Sequence, residues 1–132
     1  MQIGIWAAPA AAVAAWIFGA VWYGVLGKAW MRAQGIDPES CKDKKMPLGP
    51  MAASFGAVLL MALGLLHLMN RLALHRWNEG LFSGLMLGVV FVATTILVNN
   101  LFQGRKLMLT VIDSLHWIIV LAIEGLVLAL LA

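Results

Sequence analysis

The sequence predicts an all-α integral membrane protein, four transmembrane helices packed in one bundle. Three observations carry that expectation. The composition is 63% hydrophobic and only 11% charged, whereas a soluble domain carries about twice that charge fraction. Four long apolar runs, residues 3–26, 51–69, 81–101 and 107–131, take up most of the 132 residues, and each is close to the roughly 20 residues a helix needs to cross about 30 Å of hydrocarbon. The period-two alternation that a membrane β-barrel requires is absent. The whole chain reads as a single transmembrane domain, with a cytoplasmic loop over 27–50 as its longest polar segment.

The first run opens with MQIGIWAAPA, which has no positive leader, and stays apolar past Trp22 and Tyr23 without a clear cleavage site. It is expected to be a retained helix rather than a secretory signal. Ala7, Ala8, Ala10, Ala11, Ala12, Ala14 and Ala15 line its start. Small residues let helix backbones approach closely, which matters where lipid gives helices no hydrophobic drive to pair. The run ends in FGAVWYGVLGKAWMR. Trp22, Tyr23 and Trp30 there suit the membrane interface, with an apolar ring body and a polar tip, and Lys28 and Arg32 can snorkel to the headgroups. In the loop that follows, Asp37 before Pro38 predicts the N-cap of a short interfacial helix, which Pro47 and Pro50 then end.

The second span carries Gly56 and Gly64 on one face, and the third opens with Gly80, Gly84 and Gly88, a doubled GxxxG pattern. Such a stripe serves either a close contact inside the monomer or a homo-oligomer face. The first is expected, because four helices must pack on each other before anything else.

The fourth span contains ionisable groups. Asp113 and His116 are three residues apart, and Glu124 lies eight beyond His116, which puts all three in one helical stripe. An Asp facing lipid at the helix centre costs at least about 2.5 kcal/mol, so the stripe is expected to face the bundle interior, a subunit interface or a water-filled cavity. Asn99 and Asn100, with Thr94 and Thr95 one turn deeper, are candidate partners. Two roles are open. Asp113 and His116 bond each other and backbone carbonyls to fix helix register, or the stripe lines a water-linked proton path.

Lys28, Arg32, Lys42, Lys44 and Lys45 fall between the first and second spans, and Arg105 and Lys106 between the third and fourth. The opposite side holds only Arg71 and Arg76. Positively charged short loops stay in the cytoplasm, which predicts cytoplasmic loops one and three and both termini outside. The net charge of +3 is therefore a topology signal, and no nucleic-acid partner is expected.

A lone Cys41 allows no internal disulfide. His67, His75 and His116 lack ligand-like spacing, so neither a metal nor any other cofactor is expected. No P-loop, nucleophile elbow, HExxH or Rossmann fingerprint occurs.

Two segments, GAVWYGVLGKAWMRAQGI and LFQGRKLMLTVIDSLHWIIVLAIEG, resemble the domain-of-unknown-function 1761 family, small bacterial membrane proteins of about this length. The family's short motifs fall here on Gly19, Trp22, Tyr23, Gly27, Lys28, Trp30, Gly104, Arg105 and His116. Asp113 stands where that pattern leads one to expect Asn or another polar residue. The resemblance implies four helices and, from the family's bacterial distribution, the inner (plasma) membrane. It implies no activity. The expected function is a non-enzymatic membrane protein that packs through its glycine faces, as a homo-oligomer or as an accessory subunit of a larger complex. The alternative is a small oligomeric transporter or channel, proton-linked, using Asp113, His116 and Glu124.

Overall fold

The computed structural model describes residues 2–132. Four long helices make up the chain: α1 (Ala7–Ala33), α2 (Leu48–Arg71), α3 (Trp77–Phe102) and α4 (Leu107–Leu130). Each is long and apolar enough to cross a membrane, and no strand occurs among the described residues. A multi-pass membrane protein follows, as the apolar runs predict. α1 begins later than its run and continues to Ala33, so the segment GKAWMRA, read as loop, is two further turns of helix. This extension lets Trp30 reach the bundle. The short helix expected after Asp37 is a single 3₁₀ turn, Pro38–Cys41, whose Glu39 N–H donates to Asp37 Oδ1 at 3.1 Å.

α4 is the centre of the bundle. It packs against each of the other three helices, and half of its apolar window is buried, against 17–22% for the others. The tightest seam runs between α3 and α4. Glycine at 80, 84 and 88 removes the side chains that would separate the two backbones. A Cβ placed on Gly80 would overlap the carbonyl of Gly125, one on Gly84 the carbonyl of Leu121, and one on Gly88 would stand 2.7 Å from Ile118 Cα. The doubled GxxxG is thus filled within the chain. Its counterpart Gly125 sits equally close to Gly80. Past the glycines α3 widens into a π turn over Gly88–Ala93. The hydroxyls of Thr94 and Thr95 bond back to carbonyls of this turn, Thr94 Oγ1 to Val90 O at 2.7 Å, which is the usual rescue of loosened backbone in a span.

α1 meets α4 and α2 through its alanine face: Ala7, Ala8, Ala11, Ala12 and Ala15 are each fully buried. Asn70 ties the start of the chain to the end of α2, accepting from Ile3 N–H at 2.7 Å and donating to Ile3 O at 3.0 Å. At the other end Arg105 Nη1 donates to Gln34 Oε1 at 3.5 Å, which puts the two lysine- and arginine-rich loops on one side.

α1, α2 and α3 end in the same way, with a left-handed residue at Gly35, Ala73 and Gly104 and paired bonds back into the last turn. Ala73, at φ 56°, bears a side-chain clash that glycine avoids. Ala73→Gly is expected to stabilise the protein by up to about 1 kcal/mol, read from thermal unfolding in detergent micelles. Gly84→Leu has no such outlet, because its neighbour is backbone. It is expected to cost about 3 kcal/mol or more, seen as loss of the cooperative transition of the monomer itself.

Candidate functional site

The site is the seam between the second half of α1 and the first half of α4. Side chains on a helix lean towards its N-terminus, so the Trp30 ring falls back over the preceding turn towards Asp113. Tyr23 Oη donates to Asp113 Oδ1 at 2.6 Å, and Trp30 Nε1 donates to the same oxygen at 3.0 Å. Trp22 Nε1 donates to the Ile112 carbonyl at 3.1 Å. Three rings assigned to the interface from sequence therefore turn their polar tips inward onto α4. Lys28 and Arg105 remain exposed.

Asp113 and His116 do not serve each other. The imidazole lies in an aromatic collar, stacked on Phe18 at 6.1 Å, tilted on Tyr23 at 4.8 Å and edge-on to Trp117 at 4.6 Å between ring centres. It is 7% exposed, and its Nδ1 is buried without a hydrogen-bond partner. Gly19 makes room for it: a Cβ there would stand 2.8 Å from His116 Nε2. Gly19, Trp22, Tyr23 and Trp30, scattered over three turns of α1, thus converge on one patch of α4.

Glu124 shares the stripe but not the cluster. It is fully buried, and neither carboxyl oxygen has a hydrogen-bond partner. It lies eleven residues from Asp113, about 16 Å along the axis at 1.5 Å per residue. The asparagines lie apart as well. Asn100 Nδ2 donates to Thr110 Oγ1 at 3.0 Å and closes the α3–α4 turn, while Asn99 is exposed. Neither they nor Thr94 and Thr95 bond to Asp113. Gly56 and Gly64 are exposed on α2, with no atom within 4 Å of where a side chain would start.

Sequence reasoning missed three features: the two donors to Asp113, the pairing of Gly19 with His116, and Gly125. Gly125 carried a usable signal as the sole glycine of the last span. The Tyr23 contact had a weaker one, since a carboxylate in a span needs donors and Tyr23 was the chain's single tyrosine. Among the described residues, no three His, Cys, Asp or Glu side chains gather as a metal site.

A hydrogen bond inside a protein contributes about 0.5–1.5 kcal/mol net, and a buried partner left unpaired costs about 1–3 kcal/mol. Tyr23→Phe and Asp113→Ala are each expected to destabilise the bundle by that order. The double variant should lose less than the sum, and Asp113→Asn, which keeps an acceptor oxygen, should lose least. Thermal unfolding of the four proteins in one detergent measures the coupling. Strict additivity would mean that the Tyr23–Asp113 bond contributes nothing.

No curated protein and no solved structure matches the chain. The family model described as "Protein of unknown function (DUF1761)" matches residues 6–129, nearly the whole chain and every residue of the α1–α4 seam, and the chain belongs to that family.

Proposed function

We propose that this chain is a non-enzymatic protein of the bacterial inner (plasma) membrane that works in an assembly, as a homo-oligomer or as an accessory subunit of a larger membrane complex. Loops one and three face the cytoplasm and both termini lie outside, on the argument that seven of the nine lysines and arginines lie in those two loops or in the last two turns of α1 that lead into the first.

The observation that carries the assembly reading is the outward face of α2. Ala52, Ala53, Gly56, Ala57 and Gly64 are all exposed there, with Leu60 standing between the two glycines, a mostly small-residue face that the chain leaves open. His67 ends the strip, also exposed, and a polar ring towards lipid is better accommodated against another helix. The glycine face of α3, spent inside the monomer, takes no part. The non-enzymatic reading rests on the separation of the two carboxyl groups, too wide for one reaction centre.

Particle mass after gentle extraction tests the assembly. Gly56→Leu with Gly64→Leu is expected to reduce the particle to a monomer of unchanged helicity. An unchanged mass would remove α2 as the contact face.

A second reading, a small oligomeric proton-linked transporter, is favoured by Glu124. It predicts that Glu124→Gln abolishes proton flux in liposomes. The assembly reading predicts instead that Glu124→Gln folds normally and that Glu124→Met raises the melting temperature, because an apolar group of similar size replaces a buried, unpaired acid.

A further inference from the structure

A recess of ≈ 440 Å³ lies between α1, α2 and α4, directly beside His116. Its size falls within the range of about 300–1,000 Å³ typical of small-molecule sites. The sequence opens it by omission. Ala15, Gly19, Ala20 and Gly24 form its α1 wall, and nothing stands within 4 Å of where a Gly24 side chain would begin. Trp16 is held across from them: its Nε1 donates to Ser54 Oγ at 3.1 Å, and Ser54 Oγ donates to the Met51 carbonyl at 2.7 Å. These bonds fix the indole and use up the Ser54 proton.

The lining specifies a guest. Trp16, Tyr23 and Trp117 border the space, and rings of this kind favour planar partners, stacked or edge-on. No Lys, Arg, Asp or Glu is among the lining residues, and the nearby Asp113 oxygen is already taken by Tyr23 and Trp30. A charged guest would lose its water and gain no counter-charge. One polar feature is unmatched. His116 lines the recess and is 7% exposed; its Nδ1 is shut away, while its Nε2 faces Gly19 on the α1 wall and makes no hydrogen bond. A neutral imidazole offers one N–H and one bare nitrogen, so a guest oxygen would meet a group that otherwise goes unsatisfied.

We propose that this recess binds a neutral, planar, membrane-soluble molecule carrying a carbonyl or hydroxyl oxygen, its ring against Trp16 and Trp117 and its oxygen bonded by His116. A lipid acyl chain would fill the space but leave His116 as it is. Entry is from the side of Gly24 and Met46, where α1 is exposed and Met46 stands at the mouth, 71% exposed.

The probe is menadione, a flat neutral diketone that quenches indole fluorescence, titrated into the full-length protein in detergent micelles. Saturable quenching is expected, with 2-methylnaphthalene, the same skeleton without oxygens, competing at least tenfold more weakly. His116→Phe keeps the ring shape and removes both nitrogens. Gly24→Trp fills the opening. Each is expected to weaken menadione at least tenfold, while Phe82→Leu on the exposed face of α3, away from the recess, changes nothing. Non-saturating quenching, or equal quenching in Gly24→Trp, would mean simple partition into the micelle and overturn the proposal. Equal competition by 2-methylnaphthalene would overturn the hydrogen bond to His116 and leave a purely apolar recess. That comparison uses the unaltered protein, so it decides even if a variant does not fold.

Discussion

Lipid gives two helices no hydrophobic reason to meet, because a leucine gains nothing by exchanging an acyl chain for another leucine. The contact between α3 and α4 must therefore come from close packing of backbone, and here it comes from glycine on both partners. Gly80 and Gly125 meet backbone to backbone, and Gly84 and Gly88 continue the line along the carbonyl of Leu121 and the Cα of Ile118. This approach places α4 at the centre of the bundle, with α3 on one side and the alanine face of α1 on another. Small residues make both seams, so dispersion between closely packed atoms replaces the burial drive of a soluble core.

Polar bonds then fix what close packing leaves free. A smooth alanine face can slide or rotate against its neighbour, whereas Tyr23, Trp22 and Trp30 make three directional bonds to two adjacent residues of α4. Asn70 clamps the chain start on the far side, and Trp16 bonds to Ser54 in the first half of α2. The two seams that α1 makes thus combine a packing face with directional polar bonds. The recess beside His116 has Trp16 and Ser54 in its wall, so its shape depends on the same bonds that hold the register.

The number and placement of the helices were legible because hydropathy over about 20 residues is set by the bilayer itself. The shared side of the two basic loops was legible from charge alone, and the α3 glycine stripe announced a close contact. What sequence could not supply was partner choice. Periodicity placed Asp113, His116 and Glu124 on one face of α4, but which residues of α1 lay opposite depended on the rotation and offset of two separate helices. Tyr23 and Trp30 carried a competing explanation, since aromatic residues near a span end usually sit at the headgroups. The extra turns of α1 after Gly27 decided between these, because only a continued helix brings Trp30 back over Asp113.

The two carboxyl groups of α4 show how differently one helical face can treat the same chemistry. Asp113 lies near the basic loops, half-buried, with two donors on one oxygen. Glu124 is fully buried and without a donor. An ionised carboxylate there would carry a desolvation cost of several kcal/mol with nothing to offset it, and the isolated chain gives this side chain no polar compensation for its burial. Departures of this kind from a locally consistent sequence concentrate at places kept for something other than stability. Glu124 is the fully buried acid for which this chain supplies no hydrogen-bond donor. A proton path or a neighbouring subunit would have to bring the donor that this carboxyl lacks.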